Sequence, residues 1–418
     1  MSPPPAMSTG SRPHIVLVGS GGQPYREYSF RALAGSYRLS ALLSAEPTWQ
    51  RPYLDGWRVA DLGDEQAVAN GLAALLRSGP QAGVLTWDET ALEVTALAAE
   101  KLSLPHMSAR SAARCRDKYL MRSLLSDLGL ATVRHGLASS AAEASRIAGS
   151  IGYPVVVKPR ALAGSIGVIL VQDGTAMAGA FELASRAEFA TLPTGHGVLV
   201  EEYLDGPEIS VDSVVTDHEV TCVQVAHKRL GFAPHFEEVG HLMTGWADEP
   251  WAQPVRTLVA AAHRALGVEL GVTHTEVRLT SDGPRLVELN GRLGGDFIPY
   301  IGRYATGIDL VIAAAELALG HRPQIVPDRQ RTAEVRFLYP EHDGIVRRVE
   351  LAGARAVPGI TDATVLAEPG ARLLVPPRQA IPRLAALIAV TDSPRDCASA
   401  LDLAESEVTA DLDRLPDR

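Results

Sequence analysis

The chain has 418 residues, enough for about two to four domains, and 46% of them are hydrophobic, so each domain can bury a core. A net charge of −10 with no basic block argues against nucleic acid as the principal partner, and no apolar run approaches the ~20 residues of a membrane span. The opening MSPPPAMSTGSRP lacks the charged and apolar regions of a secretory signal, so residues 1–12 are expected to be a disordered tail. Cys115, Cys222 and Cys397 are widely spaced and odd in number, which fits a reducing, cytoplasmic setting. Of 39 basic residues only four are lysine, at 101, 118, 158 and 228. A compact, flexible ammonium is not replaced by arginine's planar fork, so these lysines are candidates for phosphate contact.

His14-Ile15-Val16-Leu17-Val18 reads as a buried strand ending in Gly19-Ser20-Gly21-Gly22. LSALLS (39–44) and AGVLTW (82–87) repeat the pattern with helical segments between, which predicts an open α/β unit over residues 13–110. The glycine turn lacks G-x-G-x-x-G spacing and fits a plain turn or substrate-side loop better than a nucleotide site. Trp87-Asp88-Glu89 ends a strand, where open sheets bind ligands, although helix capping is the plainer role. ARCRDKYLMRSLLSDLG predicts one helix with Tyr119, Leu120, Leu124 and Leu128 on its apolar stripe, and by itself Lys118 is a solvated helix lysine.

A helix over Ala141–Gly149 leads into a strand, Tyr153 to Pro159, ending in Lys158. The small-residue loop Arg160 to Val168 can lay N–H groups and the Ser165 hydroxyl over phosphates, or form an ordinary hairpin; its spacing is not that of a mononucleotide P-loop. GVLVEEYLDGPEISVDSVV gives two strands joined by a hinge, Glu201-Glu202-Tyr203-Leu204, with Glu208 beyond it. The segment 226–246 carries Lys228, Glu238 and His241, a mixture that suits an amino-acid-sized substrate or an exposed polar loop.

THTEVRLTSDGPRLVELNGRLGGD (273–296) predicts a β-hairpin. With Ser281-Asp282-Gly283 as a three-residue loop, Thr280 pairs with Pro284 and Glu276 falls opposite Glu288, with Asn290 on the same face. Facing carboxylates repel, so the arrangement calls for a cation, and these hard oxygen ligands suit Mg²⁺; a solvated strand face is the plain alternative. On this view loss of one carboxylate leaves the metal-free protein at least as stable. Gly291-Arg292-Leu293-Gly294-Gly295 adds a fixed cation and open backbone N–H groups. FIPYIGRYATGIDLVIAAAELALG reads as a loop and one long helix with Asp309 near its start. Short strands in TAEVRFLYP, GIVRRVEL, ATVLAE, ARLLVP and LAALIAVTDS then precede a helix, PRDCASALDLAESEVTADL.

In order, DKYLMR, VVVKPRALAGSIGV, VEEYLDGPEISVD, THTEVRL and VELNGRLGGD resemble the ATP-grasp superfamily of carboxylate–amine ligases, from Ala109 to Leu319. The resemblance implies an α/β, in part α+β, ATP-grasp fold: an N-terminal open α/β domain (13–110), a lid and first nucleotide-binding subdomain (111–200), a catalytic subdomain (201–330) and a closing C-terminal domain (331–418). By the same resemblance Lys118 and Lys158 contact ATP phosphates and the loop around Ser165 closes over them. Glu201, Glu202, Tyr203 and the Leu204 backbone form the adenine hinge, and Glu208 takes the ribose hydroxyls. Glu276, Glu288 and Asn290 hold two Mg²⁺ ions, with Mn²⁺ as a substitute, and Arg292 steadies the transferring phosphoryl and the carboxylate. Lys228, Glu238, His241, Gly294, Gly295 and Asp296 face the acceptor, with Glu238 or Asp296 as candidate general base. Gly291 stands where many relatives have proline, which is expected to loosen the turn. The activity implied is an ATP-dependent ligase that joins a small-molecule carboxylate to an amine through an acyl phosphate, most like the L-amino-acid (dipeptide) ligases, working as a homodimer at most. The alternatives are a biotin-carboxylase-like or purine-pathway carboxylase and a non-catalytic nucleotide-binding module.

Overall fold

The computed structural model describes residues 12–76, 82–130, 133–188 and 197–416, so all of the expected N-terminal tail except Arg12 lies outside the described residues. β1 (His14–Val18), α1 (Gln23–Ser36), β2 (Arg38–Leu43), β3 (Gly56–Val59), α2 (Glu65–Leu76) and β4 (Ala82–Leu85) build a parallel sheet in the order β3-β2-β1-β4. All of β1 is buried, as its unbroken apolar run requires of a strand covered on both faces. After α3 (Leu92–Lys101), the expected single helix is two, α4 (Ala109–Arg116) and α5 (Lys118–Asp127). The break is at Asp117, whose side chain accepts from the Leu120 N–H and caps α5. That cap resets the helical phase: Met121, Arg122 and Leu125 turn inward, while Leu120 (42% exposed) and Leu128 (53%) from the expected stripe face outward.

β5 (His135–Ala138), α6 (Ala141–Ile151), β6 (Val155–Pro159), β7 (Ile169–Val171), α7 (Met177–Arg186) and β8 (Val198–Glu202) form a small antiparallel sheet, order β5-β8-β6-β7. Residues 160–168 are therefore the loop of the β6–β7 hairpin.

The largest sheet starts with β9 (Glu208–Thr216), β10 (Glu219–Gly231) and β11 (Glu237–Met243). α8 (Ala252–Leu266) precedes the hairpin of β12 (Gly271–Thr280) and β13 (Gly283–Asn290). β9 shows how the sheet divides. Ile209, Val211 and Val215 pack with Val255, Val259 and Leu266 of α8, while Glu208, Ser210 and Asp212 point to the other face. The expected long helix after β13 is again a pair, α9 (Ile298–Thr306) and α10 (Leu310–Ala318). Gly307 ends the first in the left-handed region and Asp309 caps the second.

The remaining elements are β14 (Thr332–Leu338), β15 (Gly344–Glu350), α11 (Ala352–Ala356), β16 (Ile360–Val365), β17 (Arg372–Leu373), β18 (Ala385–Thr391), α12 (Pro394–Ser406) and β19 (Thr409–Arg414). β14, β18 and β16 extend the large sheet to eight strands, β13-β12-β9-β10-β11-β14-β18-β16, so residues beyond 331 are continuous with the hairpin. The predicted last helix stops at Ser406, and Thr409–Arg414 pairs with β15 as a strand. Its acidic residues suit a solvated helix or an exposed edge strand equally, and pairing with β15 decides. Among the described residues no helix is long and apolar enough to cross a membrane.

Candidate active site

Glu276 does pair with Glu288, but by a different route from the one expected. The turn has two residues, Ser281 and Asp282, so Thr280 pairs with Gly283 and Leu279 with Pro284. That register alone would set Glu276 opposite Val287. A bulge between Val277 and Glu276 leaves Val287 unpaired and restores the two glutamates to one rung. The neighbouring rungs run Ser210–Glu276–Glu288, Asp212–His274–Asn290 and Glu208–Arg278, so the functional side chains of three strands share one face.

Each carboxylate on this face has a cation. Lys118, at the start of α5, lies 2.9 Å from Glu288, whose carboxyl also accepts from Asn290 Nδ2 at 2.7 Å. Burial opposes ionisation of Glu288, but Lys118 and the Asn290 bond outweigh it and hold the pKa well below the usual carboxylate range. Lys228, with a 2% exposed side chain, lies 2.8 Å from Glu208 and 3.0 Å from both Glu238 and Glu276. Burial would depress its pKa, yet the three carboxylates raise it well above the ordinary value. Lys228 is therefore the hub of the carboxylates around the cleft and not solely an acceptor-side residue. Arg278 adds a second cation to Glu208 at 2.8 Å.

The small sheet supplies the opposite wall. Lys158 is 2.7 Å from Glu201, which also pairs with Arg122 at 2.7 Å. Burial works against the Glu201 charge, but Arg122 and Lys158 bring its pKa down to about 2. The Glu201 carboxylate is thus committed to two cations and is not free for a base edge, a change from the expected hinge role. The Glu202 N–H bonds the Arg134 carbonyl and the Tyr203 N–H the Pro154 carbonyl, whereas the Leu204 N–H has no backbone partner among the described residues. A cleft runs between the walls, lined by Lys118, Lys158, Gly164, Ser165, Glu201, Glu202, Tyr203, Leu204, Glu208, Glu238, Glu276 and Glu288. Asn290, Arg292, His241, Gly294, Gly295 and Asp296 are not in that lining.

Beside the cleft, partly buried Arg292 is held by Glu89, which also binds Arg116. Burial raises the Glu89 pKa, but Arg292 and Arg116 bring it to about 2. Asp88 caps the turn that presents Glu89, accepting from Thr90 N at 3.0 Å, so the Trp87-Asp88-Glu89 segment both caps and reaches the site. Gly291, expected to loosen the next turn, is packed tightly: a Cβ there would lie 2.8 Å from Met107 Sδ.

His241 is fully buried, with Nε2 3.2 Å from Glu238 and 3.7 Å from Asp296. Burial lowers its pKa, and the two carboxylates more than reverse this. Asp296 makes two bonds to Arg383, at 2.8 and 2.7 Å, and burial fails to offset this cation, so its pKa falls well below the ordinary value. Glu238 is likewise held down against burial, first by Lys228. Both carboxylates are engaged by buried cations, Glu238 by Lys228 and Asp296 by Arg383, which argues against the expected general-base role. Arg122, Arg383 and the Glu89–Arg292 pair were not anticipated. Only Glu89 carried a signal, through its place at a strand end.

Residues 151–300 match the ATP-grasp domain family, and residues 336–413 match the L-amino acid ligase C-terminal domain 2. An uncharacterized protein of Sinorhizobium fredii is 28% identical over 295 residues, 69% of this chain and 60% of its own length. Dapdiamide A synthase of Enterobacter agglomerans is 29% identical over 215 residues, 50% of this chain and 49% of its own. The chain thus spans about half to three-fifths of the length of these relatives. The crystal structure of an L-amino acid ligase from Bacillus licheniformis superposes with a TM-score of 0.81 at 23% identity, covering 97% of this chain and 100% of that one, a likeness of fold.

Proposed function

This chain belongs to the ATP-grasp superfamily, most like its L-amino-acid ligase branch, and we propose that it is an ADP-forming ligase that joins a carboxylate to the amine of an amino acid. The observation that carries the reading is the rung on which Glu276 meets Glu288, facing a cleft whose other wall ends in Lys158. The residues fit nucleotide-bound Mg²⁺: two carboxylates and the Asn290 amide oxygen are hard donors on one face of the hairpin, and the Lys118 and Lys228 ammonium groups that balance the carboxylates would share or release them to the metal. Mg²⁺, or Mn²⁺ in its place, would offset the charge of the phosphates there.

Lys158 and Lys118 would hold the phosphates, the hairpin loop around Ser165 would cover them, and the Leu204 N–H would meet the adenine edge. A carboxylate oxygen of one substrate attacks the γ-phosphorus and ADP leaves; the amine nitrogen of the other attacks the acyl carbon, and inorganic phosphate and a proton leave. Arg292, aimed by Glu89, steadies the charge that develops on the transferring group. The acyl phosphate is reactive enough toward a free amine that no strong base is required.

Pairs of amino acids and small carboxylates screened for ADP and phosphate release test this reading. Turnover that needs two organic substrates supports the ligase. Turnover that needs bicarbonate would make the protein a carboxylase, and ATP binding without turnover would make it a binding module.

A further inference from the structure

Of the buried arginines, Arg116, Arg122, Arg278 and Arg383 are each paired with a carboxylate. Arg26 is the exception. It lies in the first turns of α1, 8% exposed, and among the described residues no carboxylate comes within ion-pair distance of it. Its contacts are neutral: Nη2 donates to the Gly294 carbonyl at 3.2 Å, and the guanidinium stands 5.6 Å from the centre of the Trp87 ring. The nearby Tyr28 hydroxyl is buried and completes no well-formed hydrogen bond. Burial, reinforced by the neighbouring Arg292, works against the Arg26 charge, and only Tyr28 and the more remote Asp296 favour it. A buried cation without a counter-ion is among the more destabilising features a fold can carry.

The surroundings add positive potential. The N-terminus of α1, a helix of 14 residues, has no side-chain cap and no acidic residue in its first turn. The glycine turn before it is shaped to this side chain: Gly21 has a φ of +69°, and a Cβ there would lie 2.9 Å from Arg26 Cγ. The carbonyl that Arg26 does reach belongs to Gly294, in the loop that joins Arg292 to Asp296, so the site adjoins the reacting centre.

We propose that Arg26 receives the unreacted carboxylate of the amine substrate, and so selects free α-amino acids over amides and simple amines as acceptors. This rests on the ligase reading above. The carboxylate that becomes an acyl phosphate surrenders its charge, and Arg292 serves it. A carboxylate matched to Arg26 keeps its charge throughout, and an α-amino acid brings one beside its amine.

The test is ADP release from wild type, Arg26→Met and Arg26→Lys with three matched acceptors: an L-amino acid, its amide and its decarboxylated amine. The wild type should use the acid in preference to the other two. Arg26→Met should raise the KM for the acid about 10- to 100-fold, the cost of one charge-assisted contact, while kcat and the KM for ATP change little. Its preference for acid over amide should collapse, a change that a merely structural role would not produce, and Arg26→Lys should retain part of that preference. Should Arg26→Met fail to fold, the acid-to-amide ratio of Arg26→Lys decides: a ratio equal to wild type overturns the proposal. Equal use of acid and amide by the wild type, or an unchanged preference in Arg26→Met, overturns it while leaving the ligase reading intact. If no amino acid supports ADP release in the wild type, the ligase reading fails and this inference with it.

Discussion

The guanidinium of Arg122 donates to the carbonyl of Val287, the unpaired residue of the β13 bulge, at 2.7 Å. It also donates to the Leu286 carbonyl at 2.7 Å and pairs with Glu201, so one buried side chain ties the bulge that aligns Glu276 with Glu288 to the strand end that carries the hinge. Arg122→Lys keeps the charge but cannot reach all three partners. We expect it to fold, to need more Mg²⁺ for half-maximal rate and to lose kcat. Arg122→Met should go further and cost about 3–5 kcal/mol of stability, because Glu201 is left with only Lys158. Wild-type kcat and Mg²⁺ dependence in Arg122→Lys would show that the bulge holds without it. Unfolding and rate measurements on both variants check this.

Glu89 gives a prediction with a pH signature. In the fold its pKa is about 2 against an ordinary 4.5, so its stabilising contribution is complete above pH 4.5 and is lost as pH falls from there through about 2. Glu89→Gln should be less stable at neutral pH, by on the order of 3 kcal/mol, and should lose less stability than wild type on acidification. It should also lower kcat more than it raises the KM for ATP, because Arg292 is then free to leave the reacting centre. Melts across that acid window, with steady-state rates, would contradict this if the two proteins lost stability in parallel.

The alternation of THTEVRL and VELN was enough to bring Glu276, Glu288 and Asn290 to one face, since period 2 leaves few other options. It could not show the two-residue turn, nor the bulge at Val287, whose carbonyl is held by Arg122 from a helix more than 150 residues earlier in the chain. The scarcity of lysine pointed to Lys118, Lys158 and Lys228, all beside the cleft, while Lys101 pairs with Glu65 on the surface. Helix boundaries were missed at Asp117 and Gly307, because an apolar periodicity reads through a break of one or three residues that the backbone does not. Arg26 and Arg383 were invisible for a different reason. An arginine's neighbours are set by chain segments 268 residues away for Arg26 and 87 for Arg383, and nothing local to either distinguishes it from a solvated one.

Nucleotide choice should rest on one backbone donor. With the N–H groups of Glu202 and Tyr203 already bonded within the protein, Leu204 is left to meet the base, and its N–H suits a ring acceptor of adenine, where guanine presents a donor. ATP should therefore outperform GTP. Leu204→Pro, which deletes the N–H, should raise the KM for ATP about tenfold, whereas Leu204→Ala should leave it nearly unchanged. Parallel effects of the two substitutions, or equal turnover of ATP and GTP at subsaturating concentration, would move base recognition elsewhere.

Glu288 behaves differently from what two bare facing carboxylates would suggest. Repulsion between Glu276 and Glu288 alone would make Glu288→Gln neutral or stabilising without metal. Instead Lys118 lies 2.9 Å from Glu288 and Lys228 lies 3.0 Å from Glu276, so each charge is already balanced. Replacing Glu288 leaves Lys118, with a 12% exposed side chain, without its carboxylate. We therefore expect Glu288→Gln to melt somewhat lower than wild type in the absence of ligand, by about 1–3 kcal/mol, and to lose most of the further stabilisation that Mg²⁺–ATP gives. Its kcat should fall at least as far as its KM rises, because the missing carboxylate supports charge that builds as the phosphoryl group moves. Lys118→Met combined with Glu288→Gln separates the two effects: removing both partners should recover part of the ligand-free stability and none of the activity. A double variant that melts no higher than Glu288→Gln would mean that the unpaired Lys118 ammonium is not what destabilises that variant, and a Glu288→Gln with wild-type kcat would put the metal site elsewhere.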